Sequence, residues 1–179
     1  MVERVPMSKT GHQRLRAELG QLERFDRIEV IRSIEVARAH GDLKENAEYH
    51  AAKERQGHIE GRIMELKDKL GRAEVIDCTT QTGGRVVFGA LVSLVDLDTD
   101  VEVQYTLLGP EESDVKNGSI SVLSPIGRGL LGKEVGDEVT IKTPGGSRQF
   151  EVLGISPASL PQRRADSIGG DTVQEDVAD

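Results

Sequence analysis

Asp42 and Glu45 stand three residues apart in the stretch His40-Gly41-Asp42-Leu43-Lys44-Glu45-Asn46-Ala47-Glu48-Tyr49. At that spacing two carboxylates share one face of a first helical turn, where the positive end of the helix dipole favours their charged form. One use is a capping box, in which Asp42 accepts an N–H of the first turn and Glu45 reaches back to the Asp42 N–H. The other is chemical. Magnesium takes hard oxygen ligands in near-octahedral geometry and is usually held by one or two carboxylates together with substrate phosphates. Two exposed carboxylates are too few to hold it alone, so this reading requires a partner that already owns a metal and a phosphodiester. In two-metal hydrolysis the added ion activates the attacking water or steadies the leaving oxygen. The spacing alone leaves both uses open.

The flanking sequence is built to carry this stretch away from the rest of the chain. Before it, Leu15, Leu19, Leu22, Phe25, Ile28, Ile31 and Ile34 recur at helical spacing; after it, Tyr49, Ala52, Gln56, Ile59, Ile63, Leu66 and Leu70 step as a coiled-coil seam. If the chain reverses near Gly41 and Asp42, facing residues should have nearly constant index totals. Leu15 with Leu70, Leu22 with Ile63, Phe25 with Ile59, Ile28 with Gln56, Ile31 with Ala52 and Ile34 with Tyr49 give totals between 83 and 85. The drift is attributed to denser three-residue steps on the first helix. Ser8 is the expected N-cap of the first helix, Gly41 its C′ residue, and the second helix is expected from Asp42 or Leu43 to about Gly71. Each helix, of roughly 27 to 32 residues, would span about 40–48 Å.

The net charge of −8 is unevenly placed. Residues 1–80 hold 15 basic and 15 acidic residues; the remaining 8 of 23 and 16 of 31 fall in 81–179. Only the arm therefore suits local contact with a phosphate backbone. Cys78 is the single cysteine, which excludes an intrachain disulfide and makes a cysteine-based zinc site implausible. No apolar run approaches a membrane span, no signal-peptide pattern opens the chain, and the expected location is the cytoplasm.

From Val86 the hydrophobic period changes from helical to two. Val86–Phe88, Leu91–Leu97, Val101–Leu108, Ser119–Leu123, Asp137–Lys142 and Arg148–Ile155 read as strands, and 124–132 as a short helix with Ser124 as N-cap and Pro125 at N1. The fold class expected is α+β: a coiled-coil hairpin arm over 1–78 with its acidic tip at 41–49, a linker at 79–84, a curled antiparallel β domain with one short helix over 85–156, and a disordered acidic tail at 157–179.

Three long motifs, the tip HGDLKENAEYHAAKE, the later SPIGRGLLGK and the segment GDEVTIKTPGG, closely resemble the bacterial GreA/GreB transcript cleavage factors, of the GreA type. The resemblance covers about residues 5 to 155. It implies that the C-terminal domain has the FK506-binding-protein-like fold. It also implies that the coiled coil enters the secondary channel of bacterial RNA polymerase, where the tip acids help the polymerase cut the 3′ end of a backtracked nascent RNA. Carried over by position, Asp42 and Glu45 match the acids that handle metal and water, with Mg2+ held jointly with the polymerase, and Tyr49 lies in the same tip motif. Ser124, Pro125 and Ile126, with Arg128 beside them, match the polymerase-docking segment. Arg38, Lys44, Lys53 and Arg55 are candidates for RNA or channel contacts, or ordinary solvated helix charges. Gly127 and Gly129 depart from the family, which often carries Ala there, and are expected to loosen the short helix by ~0.5–1 kcal/mol each.

The protein is thus expected to be a monomeric accessory factor with no activity of its own. An inhibitor of polymerase that blocks the same channel is the alternative, and intact Asp42 and Glu45 favour the activator. A peptidyl-prolyl isomerase is suggested only by the implied fold, which does not determine function, and three Phe, two Tyr and no Trp leave little to line such a pocket. A purely structural coiled-coil adaptor is the remaining reading.

Overall fold

Ser8 begins the arm as expected. Its backbone is extended, and its hydroxyl accepts the Gly11 N–H at 2.9 Å, satisfying one of the donors that a helix start leaves without a partner. The computed structural model describes residues 4–78, 84–143 and 146–157. The expected linker (79–84) and tail (157–179) therefore lie outside the described residues, except for Gly84 and Pro157.

The first leg is one rod in three parts: α1 (Lys9–Gln21), a π-helical turn (Leu22–Asp26) and α2 (Arg27–Ala39). The second leg is α3 (Ala47–Arg72), 26 residues or about 39 Å long. Their seam holds Leu15 and Leu66 with Leu19, Leu22 and Leu70 near the root, then Val30, Ile59 and Ile63, and the buried Ala37 and Ala52 toward the tip. The hairpin is the one that periodicity predicted, but three of its facing pairs are not. Phe25, Ile28 and Ile31 point to solvent, at 62%, 45% and 41% exposure. The π turn is the cause. The Arg27 N–H bonds back five residues to the Leu22 carbonyl, so the turn holds one residue more than an α turn and rotates everything above it by about 100°. Val30 moves into the seam and Phe25 leaves it. The falling index totals came from pairs that include Phe25, Ile28 and Ile31, which do not lie in the seam, so they carry no information on its winding. Glu18–Arg62 and Glu23–Lys67, each at 2.7 Å, Arg27–Glu60 and Glu29–Arg55 tie the legs along their flanks. They are solvent-accessible pairs, and such pairs contribute little to stability.

The arm's root is closed by a small sheet that the sequence did not reveal. The chain ahead of α1 forms β1 (Val5–Ser8), and the chain leaving α3 forms β2 (Ala73–Ile76); they pair in parallel from Val5↔Ala73 to Ser8↔Ile76. Met7 carries this sheet into the Leu15/Leu66 cluster.

The base is a five-stranded sheet of β3 (Ala90–Asp96), β4 (Val101–Leu108), β5 (Ser119–Ser121), β6 (Glu138–Thr143) and β7 (Gly146–Pro157), in the order β5-β4-β3-β7-β6. Alternate residues of β3, namely Ala90, Val92 and Leu94, point into a core completed by Leu107, Ile120, Leu130, Ile141, Phe150 and Val152. Helix α4 (Pro125–Leu130) covers that core. The pairing is antiparallel as expected, except that β5 runs parallel to β4. Val86–Phe88 is not a strand of this sheet. Val86 exchanges backbone hydrogen bonds with Lys133 and Gly132, so the loop after α4, rather than a sheet neighbour, satisfies its polar groups. Its apolar side chain is buried all the same, which is why the pattern read as a strand.

Base and arm meet at the loop after β4. The Glu112 carboxylate accepts from the Ser8 N–H at 2.7 Å and from the Ser8 hydroxyl at 2.6 Å, Lys69 pairs with Glu111 at 2.6 Å, and Arg14 donates to the Glu111 carbonyl.

Candidate functional site

The site is the loop between the two legs. Helix α2 stops where Gly41 adopts a left-handed backbone, φ +92°, as a C′ glycine does. The next helix starts later than expected. Asp42 and Glu45 lie in a turn segment ahead of α3, and the N-cap is Asn46, whose side-chain oxygen accepts the Tyr49 N–H at 2.9 Å. The expected capping box therefore does not form. Asp42 instead caps its own turn by accepting the Lys44 N–H at 3.1 Å. Glu45 is exposed, and among the described residues its carboxylate has no hydrogen-bond or ion-pair partner. Both acids thus present oxygens to solvent at the end of the arm.

The loop is braced from behind. His50 Nε2 donates to the Lys44 carbonyl at 3.1 Å, and His40 Nδ1 meets the Glu48 carboxylate at 3.2 Å. His50, itself exposed, thus acts on the loop's backbone. Tyr49 is half-buried, with its ring edge-on to His50 at 5.7 Å between centroids.

Around the acids, Arg38 and Lys44 are exposed and form no ion pair among the described residues. Lys53 donates to Gln56 at 2.8 Å, and Arg55 pairs with Glu29, so of the four candidate cations the uncommitted ones are Arg38 and Lys44. The docking candidates lie on the base, not at the tip. Ser124 spends its hydroxyl on its own helix, accepting from Gly127 N–H and donating to the Ser121 carbonyl. Ile126 packs against the core, while Pro125 and Arg128 are exposed. Gly127 does not loosen this helix: a Cβ there would lie 2.8 Å from the Val122 Cα, so the close crossing of helix and strand requires a glycine. At Gly129 a Cβ would meet only side-chain carbons of Val139 and Ile141, at 3.2–3.3 Å.

No cluster of three or more His, Cys, Asp or Glu able to hold a metal occurs among the described residues. Two solvent-facing carboxylates, one with an oxygen engaged by a backbone N–H, fit magnesium as a partial ligand set and not as a complete one.

Such a molecule is a helical lever that offers two acids at its free end and is fastened to a β-sheet base at the other. The comparisons give the class a family. Residues 5–75 match the family described as "Transcription elongation factor, N-terminal", and 81–157 match "Transcription elongation factor, GreA/GreB, C-term". The transcription elongation factor GreA of Desulfotalea psychrophila is 68% identical over 155 residues, covering 87% of this chain and 96% of that protein. That of Thermodesulfovibrio yellowstonii is 51% identical over 156 residues, covering 87% and 99%. Among solved structures, GreA factor homolog 1 of Thermus thermophilus is 29% identical over 86% of this chain and 99% of its own, with a TM-score of 0.40. The chain belongs to the GreA/GreB family of transcription elongation factors, and its similarity to curated relatives is to the GreA type.

Proposed function

We propose that the protein acts on RNA polymerase as an accessory factor: the arm enters the secondary channel, and Asp42 and Glu45 assist the polymerase's own cleavage of a backtracked RNA 3′ end. The observation that carries this reading is the placement of two ionisable carboxylates, turned to solvent, on a loop at the far end of a helix about 39 Å long. An arm of that length carries the acids well beyond its root at the base. Asp42 and Glu45 would hold magnesium jointly with the polymerase, and the ion would supply charge stabilisation to the phosphodiester and a more acidic water. The chain's own part is to bring the carboxylates there, hold Asp42 against its turn and keep Glu45 free. Arg38 and Lys44, uncommitted and close to the acids in sequence, are suited to the RNA phosphates; Tyr49, Lys53 and Arg55 are more constrained candidates for the same surface. Pro125 and Arg128, exposed on the base, are the docking residues this geometry favours. Ser124 and Ile126 support them from within.

The test is the pair Asp42→Asn and Glu45→Gln. Asparagine still accepts the Lys44 N–H, and Glu45 holds no partner to lose, so folding should be unchanged within about 0.5 kcal/mol. On a stalled, backtracked complex with magnesium, the wild-type protein should shorten the RNA from its 3′ end and the double variant should not. A double variant that still binds the polymerase and cleaves like wild type would refute the role of the acids. Wild-type protein that inhibits without cleavage would favour the channel blocker.

A further inference from the structure

We infer that Asn46 is the positioning residue of the tip, a latch that holds the acidic loop by bonding both helices at once; this rests on the role just proposed for Asp42 and Glu45. Its side-chain nitrogen donates to the Ala37 carbonyl in the last turn of α2 at 2.7 Å, while its side-chain oxygen accepts the Tyr49 N–H in the first turn of α3 at 2.9 Å. One carboxamide therefore closes the ten-residue span from 37 to 46 from the inside, with both acids on the loop that it encloses. The orientation of the amide is unambiguous. Reversed, it would set its oxygen against a carbonyl and its NH2 against an N–H.

The bond to Ala37 does what the cap alone does not. A helix C-terminus leaves its last carbonyls without intrahelical donors, and Ala37 O, which also accepts the His40 N–H at 3.2 Å, takes this second donor from the other leg. Without it, the α2 end of the loop would keep only the chain itself, the long Gly41 N–H bond to the Arg38 carbonyl at 3.4 Å and the solvent-exposed His40–Glu48 contact. Few residues can replace it. Aspartate accepts but cannot donate. Serine caps well, but its single oxygen on a shorter stem cannot reach both partners. Glutamine has the same groups one methylene further out and lies outside the preferred N-caps. The acids supply charge, and Asn46 fixes where that charge sits relative to the arm.

Asn46→Asp and Asn46→Ser separate latch from cap, because both keep an acceptor for Tyr49 and remove the donor to Ala37. Three measurements are needed on the full-length protein: amide hydrogen exchange, polymerase binding, and transcript cleavage as a function of factor concentration. The expected result is faster exchange across 40–46 with protection retained from His50 onward. Binding and the half-saturating concentration should be unchanged, and the maximal cleavage rate should be lower by roughly 10- to 100-fold, as for a reacting group displaced by about 1 Å. Unchanged exchange in both variants, or a wild-type maximal rate in both, overturns the proposal. Asp42→Asn/Glu45→Gln in the same assay keeps the two readings apart. If that protein is inactive and the Asn46 variants are not, the latch fails and the acids stand. If it cleaves like wild type, the acids fail, and with them the catalytic consequence of the latch.

Discussion

Ser8 and Glu112, 104 residues apart in the chain, share two hydrogen bonds, from the Ser8 N–H and from its hydroxyl to the two carboxylate oxygens. Ser8 is 1% exposed and at the same time caps α1, so one serine both begins the arm and fastens it to the base.

Replacing Glu112 by alanine should therefore cost more than a surface substitution. It leaves a buried N–H and hydroxyl without their partner, a loss of about 1–3 kcal/mol, to be read as a lower midpoint in urea denaturation. Glu112→Gln keeps one acceptor and should fall between alanine and wild type. An alanine variant as stable as wild type would show that this junction adds nothing.

The π turn makes a prediction opposite to the one periodicity suggests. Phe25→Ala should change stability by no more than about 0.5 kcal/mol, since the ring is largely in solvent. Leu66→Ala, at a position with no exposure, should cost roughly 2–5 kcal/mol. Thermal denaturation of the two variants checks the register of the whole arm.

Asp96 sets an acid limit on the base. Burial acts to raise its pKa, but the Asp98 N–H, the Arg148 guanidinium and the Thr99 N–H together outweigh it and hold the carboxyl below its ordinary value. A depressed folded pKa contributes stability above the unfolded value, near ~3.9, and loses it as pH falls through the folded one. The stability gap between wild type and Asp96→Asn should thus be widest near neutrality and should shrink below about pH 4. A gap independent of pH would mean that the charge contributes nothing.

Much of this architecture was legible because it depends on local chemistry. Ser8, Gly41 and the Ser124-Pro125 pair mark helix ends by residue type, and each does so in the structure. The hairpin was legible because two apolar stripes of similar period imply each other. What failed was what local pattern cannot weigh. Asp42, Glu45 and Asn46 are all acceptors near a helix start, and residue type does not say which of them caps it; Asn46 does, and its amide also reaches Ala37 on the other leg. A π turn alters period by one residue within a leg whose apolar residues are frequent enough to satisfy either register. The β1–β2 pairing and the Glu112 contact join segments about 70 or more positions apart, where single-sequence periodicity has nothing to say.

The parallel pairing of β1 with β2 has one more consequence. Both legs of the arm are pinned at the same shoulder and zipped along their length by the Leu15/Leu66 and Val30/Ile63 clusters. A single backbone cut between Gly41 and Asn46 would leave two pieces still clasped side by side. Peptide continuity at the tip therefore serves the orientation of its side chains, not the cohesion of the rod beneath them.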